Sequence, residues 1–174
     1  MANEQPVSLA KLSIWRPVFL GTLLVVIDAF FLNQGVLALL VGLWTLFVGL
    51  PRSFLAKKYA KVRAARLRNI AIYFLAVILV FVLNAANNRL ARSRAETLVS
   101  AVKAFHDKNQ RYPESLEELV PHHVKRVPLA KYTFMFNRFS YFTSDQGTSL
   151  FYVALPPFGR PTYSFTRNAW GYLD

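Results

Sequence analysis

Residues 70–83 read IAIYFLAVILVFVL, and residues 87–108 read NNRLARSRAETLVSAVKAFHDK. No Gly or Pro separates the two runs, so the passage predicts one helix with two different halves. From Asn69 to Ala86 there are about 18 residues, enough to cross a hydrocarbon core of roughly 30 Å. Asn84, Asn87 and Asn88 mark the exit into water. Beyond them Ala91, Ala95, Leu98, Val102 and Phe105 recur at spacings of three and four, with Val99 beside them. Arg92, Glu96, Ser100 and Lys103 take the opposite side, and Arg92 and Glu96 are spaced to pair. An apolar stripe on a helix needs a cover, and the aromatic-rich C-terminal part is the candidate. The expected fold is three α-helical membrane segments plus α+β, with one long helix packed on a three- or four-stranded antiparallel sheet.

Upstream, residues 17–50 carry a single charge, Asp28. As one helix they would extend about 51 Å, too long for the bilayer core. Asn33-Gln34-Gly35 supplies a turn signal, so two helices are predicted, at about 13–32 and 36–50. Each is short for a span, and both a double crossing and a re-entrant hairpin fit. Trp15 is placed to anchor at an interface. Asp28 reads as an intramembrane contact, to a partner helix or along a proton path, or as a helix-end residue reaching interfacial water. With no second buried charge in the run, the interfacial reading is preferred. No small-x-small cleavage site follows the first run, where Phe30-Phe31-Leu32-Asn33 stands, so the segment is expected to be retained. Residues 1–69 then form a membrane hairpin with its loop, and residues 70–174 a membrane helix with its attached domain.

The net charge is +12 over 174 residues, and the excess is concentrated. Arg52, Lys57, Lys58, Lys61, Arg63, Arg66 and Arg68 fall between two apolar runs with no acid among them. Such a loop is expected to stay cytoplasmic, which sends the next span outward and puts the C-terminal domain outside. Arg89, Arg92 and Arg94 oppose the rule but are outnumbered. Phe54, Leu55, Tyr59 and Val62 would share one face of a basic amphipathic helix, making the seven cations contacts for anionic membrane lipid. Nucleic acid is a weaker reading of the same charges. The chain has no Cys, which excludes disulfides and thiolate metal sites.

Downstream, Asn109 is a candidate left-handed helix stop. Ser115-Leu116-Glu117-Glu118 fits a capping box, with Ser115 and Glu118 exchanging bonds. Tyr132, Phe134 and Phe136 alternate with Thr133 and Met135, and Phe139 and Tyr141 with Ser140; both runs read as strand, either separate or as one strand bent at Asn137-Arg138. Ser144-Asp145-Gln146-Gly147 is a hairpin turn, residues 150–155 the return strand and residues 163–166 a last edge strand. Trp170-Gly171-Tyr172 is expected to fold back on the sheet. Most of the aromatic rings should fill the core. A sharper reading exposes an aromatic face beside Lys131, Arg138, Arg160 and Arg167. The candidate partner contacts are Tyr132, Phe134, Arg138, Arg160, Arg167 and Trp170. His106, His122 and His123 lack ligand spacing, and no nucleophile–base set or phosphate loop is present. No catalytic residue, metal, cofactor or small-molecule substrate is expected.

A membrane helix that continues as an amphipathic helix, then Arg111-Tyr112-Pro113, Ser115-Leu116-Glu117-Glu118-Leu119-Val120-Pro121 and a short antiparallel sheet, resembles the pilin-like proteins. These are the type IV pilins and the pseudopilins of type II secretion. The resemblance covers about residues 70–174. The family's processing signal, a Gly followed by Phe-Thr-Leu-x-Glu, is replaced by Ala65-Arg66-Leu67-Arg68-Asn69-Ile70-Ala71-Ile72, and a membrane hairpin precedes the helix. Asp145 and Asp174 are the only acids of the sheet region, too few for the calcium site of the major pseudopilins. The resemblance implies a bacterial inner-membrane protein with a periplasmic domain, and the basic loop on the inside puts the N-terminus in the cytoplasm. Its implied role is non-enzymatic: an accessory or scaffold component that meets a protein partner in a pilus, secretion or other membrane assembly. A membrane-anchored immunity or inhibitor protein against a periplasm-acting toxin is the alternative. A transporter or enzyme subunit built on Asp28 ranks third.

Overall fold

The computed structural model describes residues 13–55, 60–144, 147–156 and 159–173. Helix α1 (Trp15–Val25) continues in π-helical form through Val26–Leu32. Helix α2 (Val36–Trp44) runs through a second π-helical stretch, Thr45–Gly49, into α3 (Leu50–Leu55). Helix α4 spans Ala60–Asn109 without a break, as the absence of Gly and Pro dictates. Three helical stretches, Trp15–Leu32, Val36–Leu55 and Ala60–Asn109, are long and apolar enough to cross a membrane. A single 3-10 turn, Leu116–Leu119, leads to strands β1 (Ser140–Ser144), β2 (Gly147–Phe151), β3 (Arg160–Ser164) and β4 (Ala169–Leu173). Residues 13–29 and 34–83 form one compact unit, and residues 30–33 with 84–173 form a second.

In the first unit, small residues let α1, α2 and α4 approach closely. A Cβ on Gly21 would stand 3.4 Å from Ala76, and one on Gly49 would stand 3.5 Å from Ile70. Lipid tails offer no hydrophobic incentive for helices to associate, so close backbone approach and dispersion must do it. The turn between α1 and α2 bends at Asn33 (φ 51°) and Gly35 (φ 76°), both left-handed. Gly35 is required twice over, since a Cβ there would also meet the Phe81 ring at 2.9 Å.

In the second unit the expected stripe on α4 is the core. Ala91, Ala95, Leu98, Val99, Val102 and Phe105 are all buried, and Leu116, Leu119, Leu150, Tyr152, Tyr163 and Phe165 cover them. The sheet is four-stranded and antiparallel in the order β1-β2-β3-β4. Its register sets Tyr141, Leu150, Tyr163 and Trp170 in one row across all four strands. Arg92 reaches over that row, its guanidinium 3.6 Å from the Trp170 ring centre, while pairing with Glu96 at 2.8 Å. Gly147 opens β2 at φ 132° as expected of the turn; Asp145 and Gln146 lie outside the described residues.

Several local expectations are corrected. The alternation at 132–136 is not a strand: Ala130 donates to the Asn137 carbonyl and Thr133 Oγ1 to the Met135 carbonyl, closing a loop instead. The first strand begins only at Ser140. Tyr163 belongs to an inner strand, and the edges are β1 and β4, the latter built from the segment expected merely to fold back. The left-handed stop falls on Gln110 (φ 55°); Asn109 is still helical, and its side chain donates to the Phe105 carbonyl at 2.9 Å. The capping box is not formed. Glu118 accepts from the backbone N–H of Glu114 at 2.7 Å, and Ser115 makes no side-chain cap. A 3-10 turn is too tight for the reciprocal geometry that a capping box needs.

Candidate functional site

Asp28 sits in the π-helical end of the first helix and is fully buried. Its Oδ1 accepts the N–H of Gly35 at 2.8 Å and its Oδ2 accepts that of Ala38 at 2.7 Å. These are the N-cap residue and the third helical residue of α2, two donors with no partner inside their own helix. The N-cap position holds a glycine, so the cap is supplied from seven residues upstream. The carboxylate also meets the positive end of the α2 dipole. Asp28 does not reach for interfacial water; both its oxygens are committed to closing the turn.

Of the basic loop, Arg52, Lys61, Arg63, Arg66 and Arg68 are exposed. Lys57, Lys58 and Tyr59 lie outside the described residues. Arg66 donates to the Arg52 carbonyl at 3.0 Å, tying the end of α2–α3 to the start of α4. Phe54 and Leu55 lie at the end of α3 and Val62 in the first turn of α4, and Tyr59, the remaining member of the expected apolar stripe, lies outside the described residues.

The second unit also carries a loop from Leu129 to Arg138 that is tied down at several points. Leu129, Tyr132, Phe134, Met135 and Phe136 are all exposed there, Phe134 to 69%. Phe136 takes φ 54°, a left-handed conformation that a bulky residue adopts only when its surroundings insist. Those surroundings are explicit. The Tyr132 N–H donates to Asn87 Oδ1 at 3.2 Å, and the Phe134 N–H to the Phe30 carbonyl at 2.8 Å. Phe31 stacks on Phe134 with ring centres 4.5 Å apart. Arg94 donates to the Leu129 carbonyl and to the Tyr132 hydroxyl, with its guanidinium 4.6 Å from the Tyr132 ring centre. Underneath, Lys131 is fully buried and donates to the Ala154 carbonyl at 2.7 Å. The Asn33 amide donates to the same carbonyl at 3.4 Å. Burial pushes the Lys131 ammonium down to a pKa of about 8. Lys131, read from sequence as part of an exposed basic face, is therefore a core residue.

The other candidates divide. Arg138, Arg160 and Arg167 are exposed, and Tyr132 and Phe134 are exposed but held as described. Trp170 is half-buried in the core row under Arg92. Sequence reasoning missed Phe142, which lies 58% exposed on the outer face of the sheet and stacks on Phe151 at 5.7 Å. Its alternation with Tyr141 carried that signal. His106 stacks on Tyr112 and His123 packs beside Phe105. Among the described residues no cluster of three His, Asp or Glu side chains could hold a metal ion. Glu118 is held below the usual carboxylate range by the Glu114 N–H and by Arg111, whose guanidinium is 2.9 Å away. That pairing closes the Tyr112-Pro113 corner rather than opening a reactive site.

No protein-family model, curated protein or solved structure matches the chain.

Proposed function

We propose that this chain is a non-enzymatic bacterial inner-membrane protein that presents a pilin-like periplasmic domain to a protein partner in a pilus, secretion or other membrane assembly. The observation that carries this reading is α4: one unbroken helix whose 70–83 stretch is apolar and whose Ala91–Phe105 stripe is the core of a sheet-bearing unit. The cations exposed between α3 and the apolar part of α4 support a cytoplasmic loop and hence an external domain. The outer face of the sheet, with Phe142 and Arg160, and the nearby Arg138 and Arg167 are the surfaces proposed to meet the partner. Asp28, committed to a helix cap, lends nothing to a transport or proton-transfer role.

The test combines topology with capture. Phosphatase fusions after Asn109 and Asp174 should be active, and a fluorescent-protein fusion after Leu55 should fluoresce. Photo-crosslinking amino acids at Phe142, Arg160 and Arg167 in the full chain should then trap a membrane-assembly protein. Fluorescence from an Asp174 fusion would remove the periplasmic reading. Crosslinks only to a secreted toxin would replace the assembly reading with the immunity one.

A further inference from the structure

We infer that the loop tip Phe134-Met135-Phe136 is a membrane-interface anchor, inserted among lipid headgroups on the side where α4 leaves the bilayer. This goes beyond the partner-binding reading and needs only that α4 spans. Three observations carry it. First, the height of the loop is set by Asn87, whose side chain holds the Tyr132 N–H at 3.2 Å. Asn87 is the residue directly after the apolar 69–86 stretch of α4, and the interfacial layer beyond a hydrocarbon core is about 5–8 Å deep. Independently, Phe134 bonds and stacks with Phe30 and Phe31, at the end of the other apolar helix, Trp15–Leu32. Both attachments put the loop at the same boundary.

Second, the tip is apolar and uncharged. Phe134, Met135 and Phe136 are 69%, 51% and 45% exposed, which in water would leave a costly patch. Third, several polar groups behind the tip are bonded inside the protein, which lowers the cost of insertion. Ala130 pairs with Asn137, Thr133 with the Met135 carbonyl and Phe134 with the Phe30 carbonyl. Lys131 is turned inward to Ala154, so the one cation between Ala130 and Asn137 is withheld from the tip, while the exposed Arg138 just beyond suits the headgroup level. Tyr132, its hydroxyl on Arg94, is the amphipathic ring expected at headgroup level, with its polar end toward a cation leaning back along α4.

The absence of native Cys makes the test direct. The full chain, reconstituted in nanodiscs of phosphatidylethanolamine and phosphatidylglycerol, carries a single spin label at Met135→Cys, at Phe142→Cys or at Leu75→Cys. Leu75 lies in the apolar stretch and Phe142 on the outer face of the sheet. The Met135 label should be relaxed more by oxygen than by a water-soluble nickel chelate, at a depth shallower than the Leu75 label. The Phe142 label should show the opposite preference. A Met135 label as open to nickel as the Phe142 label, with the Leu75 label still in lipid, overturns the anchor and leaves the span intact. A Met135 label shielded from both reagents also overturns it, because protein and not lipid would then cover the tip. A Leu75 label in water would sink the span itself, and with it both proposals.

Discussion

At the scale of single residues, two buried charges do unlike work. Asp28 satisfies two helix N–H groups where water is scarce, so its removal leaves donors without partners. Asp28→Ala should lower stability by about 1–3 kcal/mol, read as a fall in the denaturation midpoint of the full chain in detergent. Asp28→Asn keeps one acceptor and should cost less; an unchanged midpoint in both variants would refute the cap. Lys131 shows the opposite logic. Its proton is released near pH 8 in the folded protein, against about 10.5 for an ordinary lysine, so between those values the unfolded chain binds more protons. Stability should therefore rise with pH from about 8 toward 10. Tyr141 and Tyr152, whose hydroxyls burial pushes up, act in reverse once unfolded tyrosines ionise. Lys131→Met should flatten the rise, seen by comparing urea midpoints at pH 7.5 and 9.5. Neither role was legible in the sequence, because a carboxylate in an apolar run and a lysine among aromatics look alike whether bonded inward or solvated.

At the scale of the element, α4 is one helix in two solvents. Leu98 is fully buried against the sheet, whereas Leu75 is 67% exposed on the apolar half. Leu98→Ala should cost about 2–5 kcal/mol through lost burial and a residual cavity. Leu75→Ala should cost less than about 0.5 kcal/mol, because lipid replaces the lost contacts. Hydrogen-exchange protection of the Ala91–Phe105 amides separates the two. The periodicity of this helix was readable because a single face is buried along a regular repeat. The 132–136 loop misled the same reasoning: its residues alternate like a strand, yet long-range bonds to Asn87 and Phe30 close it into a loop. At the α1–α2 turn, Gly35→Ala should be destabilising by more than about 1 kcal/mol, since it combines a left-handed φ with a clash on Phe81.

For the whole molecule, the charge asymmetry should govern orientation. Replacing Arg52, Lys61, Arg63, Arg66 and Arg68 together with Gln leaves Lys57 and Lys58 on one side of the 70–83 stretch against Arg89, Arg92 and Arg94 on the other. A substantial fraction of chains should then insert inverted, measured as lost phosphatase activity and gained fluorescence in paired Asp174 fusions. Unchanged orientation would mean that the first hairpin, rather than this loop, sets topology.

The sequence by itself determined the three apolar helical stretches, the Asn33–Gly35 turn, the amphipathic continuation of α4 and an antiparallel sheet to cover it. Each of these follows from local hydrophobic periodicity or turn chemistry, which neighbouring residues carry among themselves. Only the tertiary structure decided that Asp28 caps α2, that Lys131 is core, that Trp170 lies in an edge strand under Arg92, and that Phe134–Phe136 form a closed apolar tip. Those outcomes depend on hydrogen bonds and ring contacts between residues far apart in the chain, such as Asn87 with Tyr132. No local pattern encodes which distant donor or acceptor will be within reach.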